Sequence, residues 1–196
     1  MTRTIRYLTH PQVTIDPDIP VPEWSLSVEG AKRVTNLAES GALPLTQYIY
    51  SSDETKALQT AGPLAADTMA DVLIRAEMRE NDRSATGYLP SDAFEAHANA
   101  FFDKPDESIN GWETAIAAQT RIVAAVKAAI AEAPHGEILF VGHGGVGTLL
   151  YCAFGELDID RVHDQGPGGG GNFVTYDGDT LKPLHHWLPM ESLYRS

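Results

Sequence analysis

Short apolar runs punctuate the chain at residues 4–9, 48–50, 72–76, 137–141 and 172–176, each with the length and β-branched or aromatic content of a strand. The run at 137–141 is apolar almost without interruption, the pattern of a strand covered on both faces. Between these runs the apolar period lengthens to that of a helix. Over residues 27–40, Val28, Ala31, Val34, Leu37 and Ala38 fall on one side, Ser25 or Ser27 is available as N-cap, and Gly41 follows the end. Ser51-Ser52-Asp53-Glu54 opens a second helix running towards Met69, with a kink expected at Pro63. The clearest helix covers residues 113–133, where Ile116, Ile122, Val123, Val126 and Ile130 form a stripe and Pro134-His135-Gly136 is the stop signal. Gly142-His143-Gly144-Gly145 then turns the chain into a helix over about residues 146–154.

Strands alternating with helices predict an α/β fold, a three-layer sandwich with a mostly parallel central sheet flanked by helices. From 78 to 112 the periodicity fails. Arg, Asn, Asp, Gly and Pro surround aromatic patches such as Phe101-Phe102, with one helix over residues 92–102. This segment reads as a small cap inserted into a single domain spanning 1–196.

With 196 residues, 17 glycines, 12 prolines and 43% apolar residues, the chain has neither a collagen-like nor a disordered composition. Acidic residues outnumber Lys plus Arg by 27 to 14, a formal charge of −13, which argues against a nucleic-acid partner. The lone Cys152 has no partner for an intramolecular disulfide, so a reducing, cytoplasmic compartment is expected. The N-terminus lacks an apolar signal-peptide core, and the most apolar later stretch, 138–154, is interrupted by His143 and glycines, so no membrane span is expected.

In open α/β sheets ligands sit beyond the carboxyl ends of strands. His10 and His143 both follow predicted strands. Either alone has an ordinary structural reading as a hydrogen-bonded residue. Glu80 in a polar loop would ordinarily be solvated, and Lys56 on a helix would ordinarily lie on its exposed face. The glycine run 166–171 lacks the Gly-Lys-Ser/Thr ending of a phosphate-binding loop and reads as a flexible connection. His185 and His186 are adjacent, point to opposite faces of an extended chain and have no cluster of cysteines or carboxylates nearby, so no metal is expected. Trp24, Trp112 and Trp187 suit a core or its edge.

Local patterns nevertheless occur in a telling order: Thr9-His10-Pro11, then Ser51-Ser52-Asp53 with Gln59-Thr60-Ala61, then Glu80, then Val141-Gly142-His143-Gly144. Over residues 4–176 this order resembles the histidine phosphatase superfamily, the phosphoglycerate-mutase-like fold. The resemblance implies hydrolysis of a small phosphomonoester without a cofactor. His10, a neutral imidazole with its other nitrogen held by a backbone carbonyl, would attack phosphorus and become a phosphohistidine. His143 and the Gly144-Gly145 turn would stabilise the phosphoryl oxygens, and Glu80, its pKa raised, would protonate the leaving oxygen.

The departures from the pattern are equally specific. Thr9 stands where the family has arginine, Pro11 where it has glycine, Lys56 where it has a second arginine, and Asp16 where it often has asparagine. Two guanidinium forks are missing; at about 1.5–3 kcal/mol for each charge-assisted hydrogen bond, two or three lost bonds amount to roughly 3–9 kcal/mol. Thr9, Lys56, Gly144 and a cap arginine, Arg83, are the phosphate contacts that remain to be expected. Mutase activity, which needs a strongly cationic pocket, is disfavoured. The alternative is a family member turned to binding an anionic ligand or a protein partner in the same cleft. Substrate identity and oligomeric state leave no pattern in the sequence.

Overall fold

The computed structural model describes residues 3–133 and 135–194. Its strands are β1 (Thr4–Thr9), β2 (Thr46–Ser51), β3 (Val72–Ile74), β4 (Glu137–Gly142), β5 (Asn172–Asp177) and β6 (Leu188–Pro189). Its helices are α1 (Val28–Glu39), α2 (Thr55–Thr68), α3 (Ser91–Asp103), α4 (Ala115–Glu132) and α5 (Gly144–Gly155). The strands form one sheet in the order β3-β2-β4-β1-β5-β6. The first four in this order are parallel, and β5 and β6 are antiparallel to their neighbours.

The central strands are buried on both faces, which accounts for the unbroken apolar run in β4. Ile138 and Phe140 join Ile122 and Val126 of α4 and Val146 and Leu149 of α5 on one side. Leu139 and Val141 join Val34 and Leu37 of α1 and Ala61 and Leu64 of α2 on the other. Period-two alternation is thus intact, but both sets are apolar because helices cover both faces. No helix among the described residues is long and apolar enough to cross a membrane.

Local signals act much as their chemistry requires. Ser27 caps α1 by accepting a hydrogen bond from the Gly30 N–H at 3.1 Å. Pro63 lies within α2. Two features differ from expectation. The buried face of α4 is built from Ala115, Ala118, Ile122, Val126 and Ala129, leaving Ile116 47% exposed, because alanines allow the close approach to α5 that a longer side chain would prevent. The short edge strand β6 follows no signal noted in the sequence. The stop signal at Pro134 lies outside the described residues. Residues 78–112 carry α3 and long irregular connections, and Phe101, Phe102 and Trp112 pack into the α4–α5 side of the core.

Candidate active site

The site grows from three parallel strand ends. Thr9 of β1 is in register with Gly142 of β4, and Ser51 of β2 with Val141. The ladder continues one step further, the His10 N–H donating to the Gly142 carbonyl at 2.9 Å and the Ser52 N–H to that of Val141 at 3.2 Å. His10 and His143 are therefore brought to the same edge, their ring centroids 5.3 Å apart and their planes 67° apart. Tyr7 braces the second histidine from below: its buried hydroxyl accepts from the His143 N–H at 3.0 Å and donates to the His143 carbonyl at 3.2 Å. Only glycine fits at 142, since a Cβ there would overlap that hydroxyl.

His10 is oriented by its own neighbour. Nδ1 lies 2.8 Å from the Pro11 carbonyl, which can only accept, so Nδ1 carries the proton and the Nε2 lone pair is left free. Burial, reinforced by the nearby His143, pulls its pKa down to about 3, so the ring is neutral at physiological pH. His143 is fully buried. Its Nε2 lies 2.9 Å from the Ser52 hydroxyl and 3.5 Å from Glu54 Oε1. The Ser52 oxygen accepts from the Glu54 N–H at 3.2 Å and keeps both a proton and a second lone pair, so it pairs with either tautomer of His143. His143 Nδ1 has no protein partner among the described residues. Burial lowers the pKa of His143 against the opposing pull of Glu54 and Glu80.

Charge at these strand ends is already matched. Lys56, expected as a phosphate contact or a surface lysine, is 3% exposed and paired with Glu54, and it also donates to the Val21 carbonyl at 2.9 Å. Glu54 was read only as part of a helix start, yet its other oxygen accepts from the Glu80 N–H at 2.9 Å. Burial opposes its charge, but His143 and Lys56 outweigh it, and its pKa sits at about 2. Glu80 reaches the start of α5, accepting from the N–H groups of Gly145 at 3.0 Å and Val146 at 2.9 Å. Burial again opposes charge; His143, Arg83 and these N–H groups prevail, so the pKa is lowered and the carboxylate is ionised at rest, where a raised pKa was anticipated.

Above the strand ends lies a cavity of about 900 Å³ lined by His10, Glu80, Arg83, Gly144 and the glycine run, among others. Arg83 stands with its guanidinium 5.0 Å from the Phe94 ring centre and 5.7 Å from that of Trp112. Lys56, Thr9 and the fully buried His143 do not line this cavity. Thr9 is fully buried and donates to Gln165 Oε1 at 2.7 Å while accepting from the Asn172 N–H at 3.0 Å. Asp16 is also absent from the lining, its carboxylate turned back to the Asp18 N–H at 3.0 Å. Residues 166–171, read as a connection, wall the cavity instead. The Gly171 N–H donates to the His10 carbonyl at 3.0 Å, and Gly170, at φ +85°, passes so close to that carbonyl that a Cβ would overlap it. Arg33 holds the same run through the Gly170 and Gly171 carbonyls at 3.0 and 3.1 Å.

The family model described as histidine phosphatase superfamily (branch 1) matches residues 14–182. The chain belongs to this superfamily. The match begins after His10, so the first histidine is placed by strand register rather than by the family match. Among curated proteins none matches. Solved structures with the same fold include a mycobacterial glucosyl-3-phosphoglycerate phosphatase, 20% identical with a TM-score of 0.73 over 96% of this chain and 97% of that one. A phosphoserine phosphatase from Entamoeba histolytica is 14% identical with a TM-score of 0.77 over 96% and 98%. A phosphoglycerate mutase from Bacillus anthracis is 16% identical with a TM-score of 0.75 over 98% and 95%. This superfamily member has two histidines at adjoining strand ends and lodges Lys56 against Glu54. Sequence reasoning missed Tyr7, Ser52 and Glu54 as the residues that contact His143; the one available signal was the Ser-Ser-Asp-Glu stretch, read as a helix start and as part of the family pattern.

Proposed function

We propose that this histidine phosphatase superfamily member hydrolyses small phosphomonoesters through a phosphohistidine on His10, in the cytoplasm, as a single domain with residues 78–112 as its cap. One observation carries this: His10 has Nδ1 tied to the Pro11 carbonyl and a free Nε2 on a neutral ring at the wall of a cavity. The Nε2 lone pair attacks phosphorus in line, and the bond from phosphorus to the alcohol oxygen breaks. Positive charge on the imidazole falls as water later attacks phosphorus, cleaving the P–N bond and releasing phosphate. The Gly144 N–H and Arg83 receive the phosphoryl oxygens, and His143, buried with its ring centroid 5.3 Å from that of His10, acts from behind the nucleophile. Thr9 and Lys56 act one step back, as supports of the pocket. Glu80 is ionised at rest, so it serves as a relay: it takes the proton that a monoanionic ester carries on its phosphoryl group and passes it to the leaving oxygen, then accepts one from the attacking water.

A second reading has its own observation. Glu80 already occupies α5 N–H groups on which an anion would settle, and Lys56 is committed to Glu54, an arrangement that also suits a cleft repurposed to bind a ligand or partner. Hydrolysis of an aryl phosphate and a panel of alkyl phosphates by wild type and His10→Ala separates the two. Turnover lost in the variant supports His10 as nucleophile, and turnover that survives removes it from that role. Absence of turnover in wild type, with phosphonates still bound, favours the binding reading.

A further inference from the structure

The cavity that His10 lines has a broad apolar stretch contributed by the cap. Its apolar part is Phe94, Ala98, Phe101, Phe102 and Trp112, beside the cap's polar Glu80, Asn81, Arg83 and Glu95. The one polar atom the apolar side chains own, the Trp112 indole N–H, is spent on the Thr86 hydroxyl at 2.9 Å. Val13 and Ile15 face the cavity from the loop after β1.

The charges around the same cavity can be followed one by one. Among the described residues its lining holds two arginines. Arg161 is paired with Glu95 at 2.6 Å and also contacts Asn99. Arg83 lies over the faces of Phe94 and Trp112 and feels the Glu80 charge at longer range, but among the described residues no side-chain hydrogen bond or ion pair takes its in-plane N–H groups. Asp164 accepts from the Thr148 hydroxyl at 3.0 Å and the Gln165 N–H at 2.7 Å, and Gln165 Oε1 is taken by Thr9 and Asn172. A phosphoryl group at His10 thus uses the single unpaired cation. Among the described residues no second cation remains for a carboxylate on the substrate, and the one unpartnered side-chain donor the cap contributes, Asn81 Nδ2, is buried.

We infer that the substrate is the phosphate ester of an apolar, aromatic-sized alcohol with no second acidic group, its hydrocarbon part lying against Phe94, Phe102 and Trp112. The inference rests on the phosphatase reading for its turnover but not for its binding preference. It sets this chain apart from solved structures of the same fold whose names refer to phosphoglycerate and phosphoserine. A cavity of about 900 Å³ accommodates a ring and several further carbons.

The test compares 2-phenylethyl phosphate, ethyl phosphate and 3-phosphoglycerate, all alkyl esters, so that leaving-group reactivity does not dictate the order. Burial of the ring predicts kcat/KM for the phenylethyl ester about 30- to 100-fold above that for ethyl phosphate, with 3-phosphoglycerate lowest. In Phe94→Ser the phenylethyl-to-ethyl ratio falls by about tenfold, and in Phe94→Arg the 3-phosphoglycerate-to-ethyl ratio rises by a similar factor. Equal or better use of 3-phosphoglycerate by wild type overturns the inference. If none of the esters is turned over, the phosphatase reading fails separately, and calorimetry decides the rest. Tighter binding of 2-phenylethylphosphonate than of 2-carboxyethylphosphonate upholds an apolar ligand; the reverse order, or no binding of either, refutes it.

Discussion

The strand ends beneath His10 and the cap wall above it handle charge in opposite ways. At the strand ends each ionisable side chain arrives with its partner in place: Glu54 with Lys56, Glu80 on the N–H groups of α5, His143 on Ser52. On the wall a single arginine rests unpaired against aromatic rings. Pre-paired charges hold His143 while leaving little positive potential for an incoming anion, so the proposed phosphate site draws on Arg83 and the Gly144 N–H. Arginine and lysine at these two places are consequently not equivalent, one supporting the fold and the other facing the ligand.

The sharpest way to break this division is His10→Ala, which removes the proposed nucleophile without touching a pair at the strand ends. It is expected to lower kcat/KM for an aryl phosphate by about 10³-fold or more while leaving the urea unfolding midpoint close to that of wild type. Lys56→Met does the reverse. It strands the Glu54 carboxylate in a buried site and is expected to cost about 3–5 kcal/mol in urea unfolding, most of it recovered in Glu54→Gln/Lys56→Met. Arg83→Gln should raise KM for phosphate esters by about 10- to 30-fold with little change in unfolding free energy, which steady-state kinetics and denaturation together check. If Arg83→Gln were the strongly destabilising change and Lys56→Met the kinetic one, the division of roles would be inverted.

A smaller effect concerns pH. His10 is held at about 3 in the folded chain against 6.5 for the free group, so below 6.5 the unfolded chain takes up a proton that the folded one refuses. Its contribution to stability is complete above pH 6.5 and declines as pH falls from there towards 3. Glu54, lowered from 4.5 to about 2, contributes fully above 4.5 and loses its share as pH falls through that range. Urea titrations at pH 7, 5 and 3.5 should therefore show falling stability, with the decline between 6.5 and 5 diminished in His10→Ala.

The sequence carried the layered fold well because burial writes itself into periodicity. β4 alternates Ile138 and Phe140 against Leu139 and Val141, and a run apolar on both phases announces a central strand. The face of α4 was harder to read, since Ala115, Ala118 and Ala129 pack inward while the larger Ile116 points to solvent, inverting the usual weight of size. His10 and His143 were visible as residues just past strands. The Glu54–Lys56 pair was not. Residues two apart on a helix face different ways, but Glu54 is the N-cap residue with extended backbone, φ −71° and ψ 141°, so helical spacing does not govern its side chain. The contact of Glu80 with α5 depends on the path of the chain between β3 and α3, and no local pattern encodes that path.

The most direct measurement is a rapid acid-free quench of the enzyme with ³²P-labelled aryl phosphate, followed by mapping of the labelled peptide. A phosphohistidine on His10 predicts label on the peptide containing residue 10, stable in base and lost in acid, and absent from His10→Ala. Steady turnover with no label on that peptide, or label persisting in the variant, would contradict it.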